Sequence, residues 1–203
     1  MNSLIVEGLN ELGYEIDFLL IEKLEIYLAT LKKWNKVYNL TAINEDSEII
    51  TKHFFDSLSV NGFIQNSQRI LDVGTGAGFP GLILALFNPD KSFVLVDGVS
   101  KKISFLQEMI GKLNLKNVMA VHIKVEEYKV TEQFDIIISR AFAEIKKMIK
   151  LTKHLIKVNG KFIAMKGPDV MNELDDLNLP FVNYDVMVPF LQGTRKIIEI
   201  KNS

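Results

Sequence analysis

The stretch "ILDVGTGAGFPGL", residues 70–82, decides the fold, because an apolar run leads directly into four glycines within eight positions. A loop this rich in glycine lets the backbone approach a ligand closely. The string contains the dinucleotide-binding pattern G-x-G-x-x-G at Gly76, Gly78 and Gly81. A nicotinamide cofactor is therefore the first hypothesis to test.

From Arg69 onward, short β-rich runs alternate with helical ones. The runs with strand character are "RILDV", "SFVLVD", "NVMAVHI", "FDIIISRA" and "GKFIAMKG", and helices are predicted from Pro80, over residues 101–113 and over residues 144–156. This alternation predicts βαβ units and a parallel sheet that is covered on both faces. The last two runs, "FVNYDVMVPF" and "RKIIEI", are joined by the turn "LQGT" without a helix, so they predict a closing antiparallel hairpin.

The first 65 residues have a helical pattern. Gly13 marks the end of a first helix, Asp17 caps a second, and a third starts near Asp46 or Ser47 and runs through "EIITKHFFDSLSV". The apolar and aromatic side chains of the second helix recur at three- and four-residue steps at Leu20, Leu24, Tyr27, Leu28, Leu31, Trp34 and Tyr38. This spacing favours core packing over base stacking for Trp34 and Tyr38. We divide the chain into an N-terminal helical extension, residues 1–65, and an α/β domain, residues 66–203.

Composition narrows the class of protein. The chain of 203 residues has no cysteine, which excludes disulfides and thiolate zinc sites and fits a reducing compartment. The N-terminus lacks the pattern of a signal peptide, and no run approaches the ~18 apolar residues of a membrane span. The net charge is −1, yet residues 140–166 carry 8 basic residues against 1 acidic residue. We expect a cytoplasmic protein with a local basic patch, although charge alone slightly favours a solvated helix face.

The register of the glycine loop disfavours a phosphate-bearing ligand. The dinucleotide fingerprint places its first glycine directly after the strand, whereas the literal match here begins two residues later. Pro80 lacks the N–H group that a helix N-terminus would offer to a pyrophosphate. No Lys-Ser or Lys-Thr pair follows, so a P-loop is excluded.

Carboxylates are expected around this loop. Asp72 precedes it, Asp97 ends the second strand, and Glu126 follows the third. Asp97 could bind the ribose of a nicotinamide cofactor as well, so it does not discriminate alone. A rim of carboxylates suits a ligand with a ribose, an ammonium group and a positive centre. S-adenosylmethionine has all three and no phosphate.

Several motifs resemble those of one family. "DVGTGAGFPG" is similar to the first motif of class I methyltransferases, and its "GFPG" ending resembles the bacterial small-subunit ribosomal RNA methyltransferase G family, also called glucose-inhibited division protein B. The resemblance extends through "KKWNKVYNLTAI", "KHFFDSL", "VDGVSKKISFLQ", "VEEY" and "SRAF". It implies a Rossmann-like class I S-adenosylmethionine-dependent fold: a mostly parallel seven-stranded sheet with a C-terminal antiparallel hairpin and an N-terminal helical extension.

The resemblance also implies a reaction and a set of site residues. The implied reaction is methyl transfer from S-adenosylmethionine to N7 of a guanosine in 16S ribosomal RNA. The cofactor contacts of the family fall on Gly74, Phe79, Val125, Glu126 and Arg140, with Asp97 as the ribose carboxylate; Gly76 joins them from the loop. The family usually has serine after that aspartate, whereas this chain has Gly98.

The implied partner is 16S ribosomal RNA or the small ribosomal subunit, including an assembly intermediate, with no membrane, no metal and a monomeric enzyme. Guanine N7 has a free lone pair, so we name no catalytic base; the reaction needs alignment above all. The three histidines lie on separate elements without metal-ligand spacing: His53 either faces the site or packs, and His122 is a core or strand-end residue. Phe79 is expected at the mouth of the loop, against the cofactor or the target base.

Three other functions remain to be weighed. A methyltransferase acting on a small molecule fits the nearly neutral charge but neither the basic cluster nor the family motifs, and one acting on another RNA is the related alternative. A nicotinamide oxidoreductase is disfavoured by the loop register and by the lack of a catalytic Tyr-Lys or His-Asp arrangement. A ribosome-assembly module without activity is disfavoured by the intact carboxylate rim.

Overall fold

The computed structural model describes residues 2–174, 177 and 179–202. Helices lie on both faces of a central sheet. The α-helices are α1 (Ser3–Glu11), α2 (Phe18–Tyr38), α3 (Asp46–Ile49), α4 (Asp56–Leu58), α5 (Gly81–Phe87), α6 (Ser100–Lys112), α7 (Ile145–Thr152) and α8 (Met171–Leu174). A π-helical segment, Ile50–Phe55, joins α3 to α4, so the helix predicted from Asp46 is continuous to Leu58. Short 3-10 turns cover Asn61–Ile64, Val125–Glu127, Lys153–Leu155 and Pro168–Val170.

The sheet has seven strands in the described residues. They are β1 (Arg69–Val73), β2 (Ser92–Asp97), β3 (Val118–His122), β4 (Phe134–Arg140), β5 (Ile156–Lys166), β6 (Phe181–Met187) and β7 (Thr194–Lys201). Their order is β3-β2-β1-β4-β5-β7-β6, with β7 antiparallel to both β5 and β6 and all other pairs parallel. The predicted parallel sheet with a closing hairpin is confirmed. The strand order reverses between β1 and β4, which is where ligands bind in open α/β sheets.

One predicted boundary was wrong. The helix predicted over residues 144–156 ends at Thr152, and β5 begins at Ile156 instead of at Gly160. Ile156 pairs with Phe134, and a register shift follows before Ile136 pairs with Lys161. Asn159, with φ 63°, lies inside this irregular part of the strand. The Asn-Gly pair has the composition of a turn, but in the sheet it forms a bulge.

Alternating side chains of the strands enter two cores. In β1, Ile70 packs with the helices of the N-terminal extension and with α5 and α6, whereas Leu71 and Val73 pack with α7 on the other face. This period of two is what a sheet buried on both faces requires. The extension therefore closes one face of the sheet.

The long helix α2 shows how the extension is attached. Its Tyr27 is fully buried, and its hydroxyl donates to the carbonyl of Ala77 in the glycine loop. The Nε1 of Trp34 donates to Oε2 of Glu108 at 3.0 Å, and its ring packs edge-on against Phe105 in α6. Trp34 therefore packs in the structure, as its spacing predicts, whereas core packing was wrong for Tyr38, which is 41% exposed at the end of α2. The division between residues 65 and 66 stays a prediction, since both parts contribute to one core.

Candidate active site at the glycine loop

The glycine loop turns sharply between β1 and α5. The N–H of Gly74 donates to the carbonyl of Val96 at 2.9 Å, and the N–H of Gly78 donates to that of Thr75 at 2.9 Å. Gly78 has φ +95°, and a Cβ there would lie 2.6 Å from the buried hydroxyl of Tyr27. Only glycine meets both demands.

Asp97 anchors this loop from the neighbouring strand. Its side chain is buried; Oδ1 accepts from the N–H of Val99 at 2.9 Å, and Oδ2 accepts from the N–H of Gly76 at 3.0 Å. Lys102 in the first turn of α6 also donates to Oδ2, at 3.2 Å. The carboxylate predicted to bind a ribose thus fixes the loop as well.

Asp72 lies beneath the loop and not on its rim. It is fully buried, and its Oδ2 accepts from the hydroxyl of Thr75 at 2.7 Å and from the N–H of Gly81 at 2.8 Å. Burial raises the pKa of this carboxyl to about 6, against the opposing effect of those two hydrogen bonds. Oδ1 is buried without a hydrogen-bond partner among the described residues. The expectation that Asp72 belongs to the carboxylate rim was wrong because its side chain points into the packing between β1 and α5.

A cavity of about 430 Å³, here called the glycine-loop cavity, opens at the carboxyl ends of β1 and β2. Four predicted site residues line it: Gly74, Asp97, Val125 and Glu126. Gly98 also lines it, and a Cβ at that position would meet nothing within 4 Å. A serine, which the family usually has at this position, would therefore fit without a clash. Gly98 leaves this part of the cavity wall without a side chain.

The lining is less acidic than the sequence suggests. Lys102, Lys124 and Lys147 line the cavity together with the two carboxylates. Three lysines against two carboxylates leave no excess of negative charge in the lining, and Lys102 is paired with Asp97. Apolar walls come from Val73, Val96, Ile123, Val125, Phe142 and Leu151. The cavity thus combines apolar walls with carboxylate hydrogen-bond acceptors, as an adenosine requires.

Phe79 does not line this cavity. Its ring is 3% exposed and stacks between Tyr27, at 5.5 Å, and His53, at 4.5 Å. The guanidinium of Arg140 lies over the same ring, 5.2 Å from its centre. The structure thus places Phe79 under the site as a support for Arg140, and any contact with a ligand would have to come from its backbone.

Arg140, at the end of β4, is held by the N-terminal extension. Its Nη1 donates to the carbonyl of Lys52 at 2.8 Å and to Oδ2 of Asp56 at 2.9 Å. Its Nη2 lies 3.0 Å from Nδ1 of His53. Nδ1 also lies 3.1 Å from the carbonyl of Lys52, so this nitrogen faces a guanidinium that can only donate and a carbonyl that can only accept, while Nε2 lies 2.8 Å from the hydroxyl of Thr41. The site role of His53 is thus indirect, through Arg140.

Sequence reasoning did not single out Asp56 or Thr41. Both lie inside strings that carried the family resemblance, "KHFFDSL" and "KKWNKVYNLTAI", and that was the only signal for them. His122, by contrast, is an exposed strand-end residue whose Nε2 lies 3.1 Å from the carbonyl of Gly98.

The neutral state of His53 leads to a prediction about acid stability. Burial, reinforced by Arg140, lowers its pKa to about 3, whereas an unfolded histidine titrates near 6.5. The stability that the neutral ring contributes is complete above pH 6.5 and is lost as the pH falls towards 3. Between pH 7 and pH 5 this loss is about 2 kcal/mol. We expect the difference in unfolding free energy between wild type and His53→Gln to shrink by that amount, measured with guanidinium chloride at both pH values.

The titration of Asp72 does not affect this comparison of the two proteins. Its raised pKa gives an opposite pH dependence between about pH 3.8 and pH 6, but it is present in both proteins and cancels in the difference. If the difference in unfolding free energy between wild type and His53→Gln is the same at pH 7 and at pH 5, the conclusion that His53 is buried and neutral is contradicted.

A second cavity, of about 380 Å³, adjoins the first and is here called the arginine chamber. Its charged lining comprises Lys52, Asp56, Arg140, Lys166 and Arg195. Ala141 lines both cavities, so they meet beside the end of β4.

The basic stretch 140–166 does not form one surface. Lys157 pairs with Asp135, and Lys161 pairs with Glu199. Both pairs lie next to residues 65–67 at the amino end of β1, which is the end of the sheet opposite the glycine loop. Lys166 pairs with Glu173. On α7, Lys146, Lys147 and Lys150 are exposed, and Lys147 reaches the glycine-loop cavity. The exposed lysines of this stretch near the site therefore lie on α7, and Lys102 and Lys124, from outside the stretch, add positive charge at the cavity.

The described residues contain neither a membrane-spanning helix nor a cluster of metal-binding side chains. No helix among them is both long and apolar enough to cross a membrane. No group of three or more histidine, aspartate or glutamate side chains in that part of the chain is arranged to hold a metal ion.

Comparison with known sequences gives a consistent set of relatives. The family described as rRNA small subunit methyltransferase G matches residues 20–198. The ribosomal RNA small subunit methyltransferase G of Legionella pneumophila (strain Corby) is 42% identical over 204 residues, which cover 100% of this chain and 96% of that protein. The protein of the same name from Haemophilus influenzae (strain PittEE) is 41% identical, with 99% and 100% covered.

Solved structures agree in fold. A SAM-dependent methyltransferase from Aquifex aeolicus superposes with a TM-score of 0.58 at 19% identity, over 84% of this chain and 97% of that one. The tRNA (m1A58) methyltransferase of the same organism gives a TM-score of 0.55 at 17% identity, over 73% and 68%. At this identity the likeness shows the fold alone, and it confirms the Rossmann-like methyltransferase architecture.

Proposed function

The chain belongs to the rRNA small subunit methyltransferase G family, and from that premise we propose that it transfers a methyl group from S-adenosylmethionine to N7 of a guanosine in 16S ribosomal RNA. The observation that carries the proposal is the glycine-loop cavity at the point where the strand order reverses. Its predicted residues Gly74, Asp97, Val125 and Glu126 converge there from three consecutive β-strand ends.

The residues of the cavity fit the proposed methyl donor. Asp97 and Glu126 offer carboxylate oxygens to the ribose hydroxyls, and Val125 and Leu151 offer apolar surface to the adenine. No P-loop lysine or arginine fork meets the glycine loop, whose N–H groups at Gly74, Gly76 and Gly78 are taken by protein acceptors. These three N–H groups are therefore not free to bind a diphosphate. When bound, S-adenosylmethionine supplies a sulfonium methyl group that an aromatic nitrogen can attack.

The contribution of the chain to the reaction is alignment. Guanine N7 has a lone pair and no proton, so no side chain has to remove one. Holding two reactants in line can lower such a barrier by about 7–11 kcal/mol. Arg140 fits a role in that alignment because its guanidinium is fixed by Asp56, His53 and the Phe79 ring beside the cavity.

The N-terminal extension, residues 1–65, is then part of the active site. It contributes Asp56 and His53, which fix Arg140, and Tyr27, which holds the loop carbonyl of Ala77. We assign methyl-donor binding to the domain 66–203 and the positioning of Arg140 to the extension.

The decisive experiment compares ribosomal RNA from cells with and without the gene. Deletion should remove one N7-methylguanosine from 16S RNA, detected as the loss of a site of chain cleavage after borohydride reduction and aniline treatment. The purified protein should restore that site in vitro with S-adenosylmethionine. An unchanged cleavage pattern in the deleted strain would refute the N7 assignment, and restoration of a methyl group on another atom or another RNA would redirect it.

A binding measurement separates the two cofactor hypotheses. In isothermal titration calorimetry, S-adenosylmethionine should bind the protein and NAD should not. NAD binding of comparable affinity would revive the oxidoreductase hypothesis.

A further inference from the structure

The arginine chamber is built by three distant parts of the chain. Lys52 and Asp56 come from the N-terminal extension, Arg140 from the end of β4 and Arg195 from the start of β7. Ile43 and Met165 add apolar surface to its walls. Because the chamber meets the glycine-loop cavity at Ala141, a molecule inside it would lie next to a molecule in that cavity.

The chamber holds an excess positive charge. The Asp56 side chain is 5% exposed, and its two oxygens accept from different arginines: Oδ2 from Nη1 of Arg140 and Oδ1 from Nε of Arg195, both at 2.9 Å. Two guanidinium groups therefore share one carboxylate. His53 is neutral, while Lys52 and Lys166 are paired with Glu48 and Glu173 outside the arginine pair. One unit of positive charge is left at the centre of the chamber.

The two arginines differ in their free donors. Both terminal nitrogens of Arg140 are engaged, by Asp56, by the carbonyl of Lys52 and by His53. Arg195 uses only Nε, and its two terminal nitrogens donate to none of the described residues. Its side chain is 31% exposed, so it is accessible from solvent. A fork of N–H donors with an uncompensated charge is suited to a phosphate group.

We propose that the arginine chamber holds the target nucleotide of the RNA and that Arg195 binds its phosphate, with Asp56 as the residue that positions Arg195. The inference rests on the proposed function, because it assumes an RNA substrate beside the methyl donor. The apolar walls receive the base, and the shared wall at Ala141 brings it to the glycine-loop cavity.

The test measures methylation of small ribosomal subunits and of naked 16S RNA from a strain deleted for the gene. For Arg195→Gln we expect the KM for RNA to rise about 10-fold with kcat little changed. The slope of log affinity against log salt should fall by about 0.7 to 0.9, which corresponds to one lost phosphate contact. The affinity for S-adenosylmethionine should stay within twofold, because Arg195 does not line the glycine-loop cavity.

The neighbouring residue provides the matched control. Lys196 follows Arg195 on β7, points to the other face of the sheet and pairs with Asp185. Lys196→Gln makes the same charge change and should leave both the KM for RNA and the salt slope unchanged. Arg195→Lys keeps the charge but loses the fork, so we expect a rise in KM of about threefold.

Each outcome decides the inference. An unchanged KM and salt slope in Arg195→Gln overturns it, as does an equal effect of Lys196→Gln. If Arg195→Gln fails to fold, Arg195→Lys decides: a raised KM with normal binding of S-adenosylmethionine supports the phosphate contact, and an unchanged KM overturns it. Absence of methyl transfer by the wild-type protein overturns the proposed function and this inference together, whereas transfer with an unaffected Arg195→Gln overturns this inference alone.

Discussion

Replacing Asp97 by asparagine should weaken the binding of S-adenosylmethionine about 100-fold, measured by isothermal titration calorimetry. The carboxylate accepts from the N–H groups of Gly76 and Val99 and from Lys102, and Oδ1, which accepts a single hydrogen bond, keeps a lone pair for a ribose hydroxyl. An amide places an NH₂ group against one of those N–H donors. Hydrogen bonds to charged groups are worth about 1.5–3 kcal/mol each, and a loss of about 2.7 kcal/mol is a factor of 100 in affinity. The loop anchor and the proposed ribose contact are lost in one substitution.

Asp90 provides the control for this variant. Its carboxylate is 70% exposed and lies in the turn before β2, next to Lys91. Asp90→Asn makes the same chemical change and should leave the affinity unaltered. Asp97→Asn that binds the methyl donor within threefold of wild type would refute the role of this carboxylate, provided that thermal unfolding shows both variants folded.

Replacing Gly81 by alanine should lower the free energy of unfolding by about 3 kcal/mol. A Cβ at Gly81 would lie 2.3 Å from Cδ2 of Leu95 and 2.7 Å from Oδ2 of Asp72, and both side chains are fully buried. Gly81 begins α5 and donates its N–H to that same Asp72 oxygen. The helix would have to move away from the sheet, which costs about 1–3 kcal/mol in overpacked cores, and a buried hydrogen bond would weaken. The melting temperature followed by circular dichroism should fall by about 6–12 °C.

The control is the same substitution at Gly111, for which we expect the opposite change in melting temperature. It is the next-to-last residue of α6, and a Cβ there would meet nothing within 4 Å. Because alanine is favoured over glycine in helices, by roughly 0.5–1 kcal/mol in the interior and by less at the end, Gly111→Ala should raise the melting temperature slightly. Equal melting temperatures for the two variants would show that the close contact of α5 with the sheet is not needed for stability.

Together the two substitutions separate two functions of the loop. Gly81 and Asp72 hold α5 against β1, below the surface, whereas Gly76 and Asp97 shape the cavity above it. We therefore expect Asp97→Asn to lower the affinity for S-adenosylmethionine together with the melting temperature, because it breaks the loop anchor, and Gly81→Ala to lower the melting temperature first. The pattern of glycines in the sequence does not distinguish these tasks.

Local signals in the amino-acid sequence were enough to predict the succession of strands and helices, the closing hairpin and the meeting of Gly74, Asp97 and Glu126 at one edge of the sheet. These signals are the period of the apolar residues, the turn residues and the rule that ligands bind at the carboxyl ends of parallel strands. Val125 came from the family resemblance. Local signals failed at Asn159, where a turn composition became a bulge, because pairing with β4 overrode it.

Only the tertiary structure decided which side chains lie beneath the loop and which meet across the site. Asp72 and Phe79 are next to the glycines in sequence, yet packing buries both. Asp56 meets Arg140 across 84 residues and Arg195 across 139 residues. No periodicity encodes such contacts, because they depend on how three separate elements dock on one edge of the sheet. The physical reason is that burial and charge pairing are set by distance in space, which neighbouring residues in the chain do not determine.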